Sequence, residues 1–403
     1  MKLSQRVLTM PESSIRKLTP LADEAKKAGR RIYHLNIGQP DLPTPKSFFA
    51  GINNFREEVL SYCPSPGLPK LLEVFSAYYQ HRGIPLTPRE LLVTNGGSEA
   101  LLFSFMAVCD HGDEILVPEP FYTSYSLTAS ALGIKLCPVP TFVEDGFHLP
   151  ERGEFVKRIT PRTRALLVTN PGNPTGTVYT QEEMKMLAGL VQDFDLFLIA
   201  DEVYREFVYE GEYKSFLEFP SLWERVLLVD SISKRFSACG ARIGSLACKN
   251  PKVMRQLYKL AETRLAVAMV EQMGAIALAE TPAEYFREAN LEYKRRRDVS
   301  IAKLQSIPGV YCRRPEGAFY ILARLPVVDA EEFAAWLLRD FNLDGASVML
   351  APANGFYLTP ERGRDEVRIA YVLREEDLAN AFTILGEGLR VYNSTVASPV
   401  VSS

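Results

Sequence analysis

Lys234 has the most chemistry to offer. It stands in Ser231-Ile232-Ser233-Lys234-Arg235-Phe236, straight after the apolar run 226–230. An apolar strand leading into Ser-x-Ser-Lys puts the lysine at a sheet's ligand edge. A lysine taken out of water there is a nucleophile that can form a Schiff base with a carbonyl. The competing account is an ordinary surface lysine. A second loop, Gly96-Gly97-Ser98-Glu99-Ala100, runs into a helical stretch. Its backbone N–H groups, its hydroxyl and the positive helix end suit a phosphate. A tight turn with Ser98 as N-cap has the same composition. The third loop, Asn170-Pro171-Gly172-Asn173-Pro174-Thr175-Gly176, would hold an asparagine amide rigidly at a strand end, or is simply a loop.

These loops need a scaffold. A chain of 403 residues is too long for one compact core and comfortable for two. Strand-like runs at 91–95, 114–118, 134–139, 164–169, 196–200, 226–230 and 243–248 are mostly apolar on both faces, as strands covered on both sides should be. Between them lie helix-period segments. In the clearest, Met184, Leu187, Leu190, Val191 and Phe194 recur at helical spacing behind a Thr180/Glu183 capping box. Such alternation predicts an α/β fold, with a mostly parallel seven-stranded sheet between two helix layers. Residues 46–285 are expected to form this large domain. A long charged helix over 282–307 bridges to a smaller α+β domain made of 1–45 and 286–403. That domain has strand-like pieces at 318–323, 347–351 and 366–372 and helical stretches at 330–340 and 375–392. Residues 395–403 read as a frayed tail. Ligands of open α/β sheets bind at the carboxyl ends of the strands, where the three loops start.

Composition narrows the classes. Forty-six basic against 49 acidic residues leave a net charge of −3, without the basic surplus of a nucleic-acid binder. No apolar run reaches a membrane span, and residues 1–10 carry no secretory signal. The six cysteines include no C-x-x-C and read as reduced thiols, so a cytoplasmic location is expected. The four histidines form no H-x-x-x-H pair, and nothing suggests a metal site. The basic run Lys294-Arg295-Arg296-Arg297 reads as a solvated helix face balanced by Glu284, Glu288 and Glu292.

Order and spacing say more than any single loop. Gly-Gly-Ser-Glu-Ala is followed by Asn-Pro-x-Asn-Pro-Thr-Gly, by Ala200-Asp201-Glu202-Val203-Tyr204, by Ser-x-Ser-Lys with Arg242 eight residues on, and by Val367-Arg368-Ile369-Ala370-Tyr371. From Leu35-Asn36-Ile37-Gly38-Gln39-Pro40-Asp41 to Tyr371 the chain resembles the class I, fold type I pyridoxal-phosphate aminotransferases, in particular the aspartate aminotransferase-like ones. The resemblance implies pyridoxal 5′-phosphate as cofactor, held by Lys234 as an internal aldimine. The freed Lys234 amine would then move the substrate's Cα proton. Asp201 would keep the pyridine nitrogen protonated. Asn173 and Tyr204 would bond the ring's 3-oxygen. Tyr122, or Phe121 beside it, would stack on the ring. Gly97, Ser98, Ser231, Ser233 and Arg242 would hold the phosphate. Tyr62 would reach the phosphate of a neighbouring subunit, implying a homodimer with shared active sites. Arg368 would bind the substrate α-carboxylate, with Gly38 close by where a side chain would clash.

The resemblance implies a ping-pong transfer from an L-amino acid to a 2-oxo acid. Aspartate and glutamate are the favoured donors; alanine or aromatic amino acids come next. A dicarboxylate needs a second cation. Some bacterial aspartate aminotransferases have a lysine where this chain has Ser98, so Arg264, Arg16 and Lys17 are the candidates here. A lyase, decarboxylase or cyclopropane-forming synthase on the same fold would keep Lys234, Asp201 and Arg242, and only its products would separate it. A non-catalytic regulator would need a DNA-binding segment, and no helix-turn-helix pattern is present.

Overall fold

The computed structural model describes residues 1–395. Strand β1 (Arg31–His34) stands apart from the central sheet. That sheet takes β2 (Leu91–Asn95), β3 (Glu114–Glu119), β4 (Lys135–Pro140), β5 (Thr163–Thr169), β6 (Phe197–Asp201), β7 (Val226–Ser231) and β8 (Ile243–Ala247). Their order is β2-β8-β7-β6-β5-β3-β4. β8 runs antiparallel to both neighbours, and the other pairs are parallel. The α/β expectation with a mostly parallel seven-stranded sheet holds.

The period of two along each strand explains the layering. Leu91, Val93, Leu166, Val168, Leu198 and Ala200 pack on one face with helices Pro69–His81 and Gln181–Asp193. Leu92, Ala165, Leu167, Ile199, Leu227 and Val229 pack on the other with helices Gly96–Val108 and Pro251–Thr263. Both faces are dry, so the strands read as continuous apolar runs. Truncating one of these fully buried leucines to alanine costs about 2–5 kcal/mol. Helix Gln181–Asp193 starts where the Thr180/Glu183 box puts it: Thr180 Oγ1 accepts from Glu183 N at 3.2 Å, and Glu183 Oε2 accepts from Thr180 N at 2.7 Å.

The long helix runs Ala283–Gln305. Beyond it, β9 (Tyr311–Cys312), β10 (Tyr320–Arg324), β12 (Ala351–Pro352) and β13 (Glu366–Ala370) form an antiparallel sheet in the order β12-β13-β10-β9, while β11 (Ala346–Met349) pairs in parallel with β1. Helices Ala330–Arg339 and Glu375–Thr395 share one hydrophobic cluster with β10, β13 and the N-terminal residues Leu18, Ala22, Tyr33 and Leu35. The N-terminal segment carries two helices, Gln5–Leu8 and Thr19–Lys27. Of the tail read as frayed, Thr395 closes the last helix, and residues 396–403 lie outside the described residues. Among the described residues no helix is long and apolar enough to cross a membrane.

The basic run on the long helix is only partly a solvated face. Arg295 is exposed and pairs with Glu292, but Arg296 and Arg297 are buried. Arg296 meets Asp41 at 2.6 Å and Glu292 at 2.9 Å; Arg297 meets Glu210 at 3.0 Å and Asp298 at 2.8 Å. Each helical step turns about 100°, so four consecutive basic residues cannot share one face.

Candidate active site

The parallel strands deliver their carboxyl ends to one edge of the sheet. β8 runs the other way, so its beginning lies there too, with Ile243 opposite Asn95. At this edge a cavity of about 710 Å³ opens, a size that suits a small ligand. It is lined by Gly38, Gly97, Ser98, Tyr122, Asn173, Asp201, Tyr204, Ser231, Ser233, Lys234, Arg242 and Arg368, together with Arg16, Tyr125 and Tyr320.

Asp201 ends β6 and is buried. Tyr125 donates its hydroxyl to Asp201 Oδ2 at 2.7 Å, and Val203 N lies 3.4 Å from Oδ1. Burial pushes the Asp201 carboxyl up to about 6, against the pull of these donors. No side-chain cation lies within ion-pair distance of it among the described residues. The Tyr125 hydroxyl also sits 2.5 Å from Thr169 Oγ1 at the end of β5. Burial raises Tyr125 and Tyr204 well above the ordinary phenol range, so both hydroxyls keep their protons.

Lys234 sits in the short helix Ile232–Arg235 that β7 runs into, and its Nζ donates to the Gly38 carbonyl at 2.9 Å. Ser231 Oγ caps this turn, accepting from Ser233 N at 3.1 Å and lying 2.8 Å from Ser233 Oγ. Ser98 is not an N-cap. The helix starts at Gly96 with Asn95 in the cap position, so Gly97 and Ser98 lie in its first turn, whose amides have no partner within the helix, and both line the cavity. Arg242, with a φ of 54°, packs its guanidinium so close to Gly96 that a Cβ there would lie 2.4 Å from Nη2.

Arg368 comes from β13 and is buried. Its Nη1 donates to Asn173 Oδ1 at 3.2 Å and its Nη2 to the Asn36 carbonyl; its Nε has no partner. Asn173 Nδ2 donates to the Tyr204 hydroxyl at 3.3 Å, which in turn lies 2.8 Å from that of Tyr320. Tyr320 also explains Gly38 more directly than a bound carboxylate does: a Cβ at residue 38 would fall 2.0 Å from its hydroxyl.

Some candidates lie elsewhere. Phe121 is buried in the core beneath the cavity, leaving Tyr122 as the ring that faces it. Arg264 does not line the cavity. Its Nε pairs with Glu99 at 3.0 Å, and its other nitrogens bond the Ser65 and Val93 carbonyls at 3.2 and 2.8 Å. Within this chain its donors are engaged by Glu99 and by two backbone carbonyls. Lys17 is engaged by Glu331. Tyr62 is 83% exposed and outside the cavity. Tyr125, Tyr320 and Asn36 were not singled out by sequence. Three aromatic residues within Phe121–Tyr125 were the one signal for Tyr125.

Beneath Lys234 lies a buried ionic group. Asp230 accepts from Arg235 and, at 2.9 Å, from the Tyr79 hydroxyl; Arg205 lies 3.5 Å from Asp230 and 3.3 Å from Glu202. Burial opposes the charge on Asp230, yet Arg205 and Arg235 hold its carboxyl below the usual range. Burial pushes Glu202 up to about 7.

Comparison with known proteins matches this geometry. The family model for class I and II aminotransferases covers residues 30–385. The chain is 32% identical to an aspartate aminotransferase of Geobacillus stearothermophilus, over 94% of this chain and 97% of that one. A solved structure of a Thermus thermophilus aspartate aminotransferase mutant superposes with a TM-score of 0.88 at 30% identity, covering 96% of this chain and all of that one. An alanine aminotransferase from Pyrococcus furiosus does so equally, with a TM-score of 0.88 and 30% identity over 97% of this chain and all of that one. With family model, relatives and folds in agreement along nearly the whole length, the chain belongs to the class I and II aminotransferases.

Proposed function

We propose that this protein uses pyridoxal 5′-phosphate to move the amino group of an L-amino acid to a 2-oxo acid in two alternating half-reactions, with aspartate and glutamate as favoured donors. The observation that carries the reading is the meeting of Lys234, Asp201 and Arg368 in one cavity. The residues present suit the cofactor. Asp201 is a buried carboxylate with no ion-pair partner among the described residues, and a protonated ring nitrogen would supply one. Gly97, Ser98, Ser231, Ser233 and Arg242 offer N–H, hydroxyl and guanidinium donors to a phosphate. Tyr122 offers a ring face to stack on.

Once bound, the cofactor supplies an aldehyde that captures amines and a ring that takes up an electron pair from Cα. The chain does the rest. Arg368 binds the α-carboxylate through parallel N–H bonds, and its unpartnered Nε leaves a donor in hand. Lys234, positioned by the Gly38 carbonyl, takes the proton from Cα and returns it one atom away. Asn173 and Tyr204 donate to the ring's 3-oxygen. We assign residues 46–285 to a large cofactor domain and 1–45 with 286–395 to a smaller one; the two buried clusters on the faces of the central sheet draw on the first range alone, and the cluster of the smaller domain also takes in Tyr204, Phe207 and Tyr209. We also propose a homodimer in which Tyr62 reaches the partner's phosphate; Tyr62 follows the exposed Val59 and Leu60. Six unpaired cysteines support a cytoplasmic location.

The test is a stopped-flow panel of aspartate, glutamate, alanine, tyrosine and phenylalanine, following cofactor absorbance. Rapid conversion to the amine form by aspartate and glutamate is expected. Conversion by alanine or the aromatics alone would move the substrate to that class, the alternative that the alanine aminotransferase relative favours. Release of CO₂ or elimination products would mark a lyase or decarboxylase.

A further inference from the structure

We propose that Arg16 is the cation that receives the distal carboxylate of a dicarboxylic substrate; this rests on the aminotransferase reading above. The cavity holds four cations, Arg16, Lys234, Arg242 and Arg368, against one carboxylate, Asp201. Three of them have work in that reading, with aldehyde, phosphate and α-carboxylate. Arg16 has none, and among the described residues no acceptor engages its guanidinium. Arg264 and Lys17 are committed elsewhere in the chain.

The backbone under Arg16 is fixed relative to Arg368. Arg368 donates to the Asn36 carbonyl, and Asn36 Nδ2 donates to the Ile15 carbonyl at 2.9 Å. One residue therefore bridges β13 and the peptide bond that leads into Arg16. The turn is held further by the amides of Arg16 and Lys17, both 2.9 Å from the Ser13 carbonyl. Ser14 is buried against Gly355 so closely that a Cβ there would lie 2.0 Å from its Oγ. The backbone at Arg16 is tied down by these bonds, and its side chain is exposed. A substrate gripped at one end by Arg368 then presents its other end to a guanidinium whose backbone is tied to the same Asn36. A second carboxylate is the group that such a donor binds best.

The test is equilibrium binding of succinate and of butyrate to the cofactor-loaded protein by calorimetry. These acids have no amine and differ in the distal carboxylate. We expect succinate to bind more tightly. In Arg16→Ala the succinate preference falls by about 10-fold or more, between the range for exposed pairs and that for desolvated ones. Arg16→Lys should retain part of it. An unchanged preference in Arg16→Ala, or a preference lost in Arg264→Ala and kept in Arg16→Ala, overturns the assignment. Wild-type protein that converts alanine and binds succinate no better than butyrate overturns it too, and leaves the aminotransferase reading standing. Protein that converts no amino acid overturns both. Arg16 is exposed, so its substitution does not threaten the fold.

Discussion

Tyr125 donates its hydroxyl to Asp201 at 2.7 Å, and no side-chain cation among the described residues lies within ion-pair distance of that carboxylate. Its bond favours the charged carboxylate, and burial favours the neutral one. Tyr125→Phe removes the donor, worth about 1.5–3 kcal/mol when the acceptor is charged. The Asp201 carboxyl should then titrate above its present value of about 6. Cofactor affinity, titrated by fluorescence, should fall about 10- to 100-fold, and the loss should be greatest at the acid end of the pH range.

Lys234→Ala should abolish covalent capture of the cofactor. Borohydride treatment followed by mass spectrometry would label Lys234 in the wild type and leave the variant unlabelled. Turnover should drop by at least about 10²- to 10⁴-fold, the usual yield of a positioned general base. A labelled variant would mean that another lysine does the work.

Arg368→Lys keeps the charge and loses the fork. Lysine cannot form two parallel bonds to a carboxylate, and the Asn173 and Asn36 acceptors would compete for its single ammonium. The expected result is a drop in kcat/KM of about 100-fold, larger than the drop in cofactor affinity. Steady-state kinetics beside cofactor titration would separate the two.

Gly38→Ala places a methyl group where the Tyr320 hydroxyl stands. Tyr320 is tied to Tyr204 at 2.8 Å and cannot swing aside without breaking that bond. Overpacking of this kind costs about 1–3 kcal/mol. A lower melting temperature together with a changed absorption spectrum of the bound cofactor is expected, because Tyr204 moves with Tyr320.

His148 offers a pH test away from the cavity. Its Nδ1 lies 3.0 Å from Glu183 and its Nε2 3.3 Å from Glu316, joining helix Gln181–Asp193 to the turn before β10. The two carboxylates' hydrogen bonds hold its pKa up at about 10, from 6.5. A raised histidine pKa stabilises the fold fully below about 6.5, and that contribution disappears as pH climbs through about 10. Allowing for partial exposure, about 1–3 kcal/mol is at stake. Wild-type melting temperature should fall more between pH 7 and pH 10 than that of His148→Gln. Equal slopes would remove the role.

The central sheet was legible because both of its faces are dry. Runs such as 196–200 are apolar throughout, so the strands stand out against Gly, Asn and Ser loops, and the structure moves their ends by a residue or so. β9 and β12 span two residues each, too few for periodicity to register. Arg296 and Arg297 read as surface because their partners Asp41 and Glu210 are remote in sequence. Lys234 and Asn173 stand out because the order and spacing of their motifs carry the family resemblance. Tyr125 and Tyr320 do not, since a tyrosine that serves a site looks in sequence like one that fills a core. The Gly38 glycine was noticed, but its nearest obstacle, a hydroxyl on β10, could come only from the fold.

The ionic group under Lys234 also bears on how this chain can change over generations. Arg205, Asp230, Glu202 and Arg235 balance one another, buried from bulk solvent. Losing one member strands its partner as a bare buried charge, a penalty of about 3–5 kcal/mol. Drift through single substitutions is therefore closed, and only concerted replacement by apolar residues of similar volume remains open. Asp230 and Arg235 flank the segment that holds Ser231, Ser233 and Lys234. Residues that never meet a substrate thus act as an evolutionary anchor, and libraries built one position at a time will find tolerance at Ile232 before either flank.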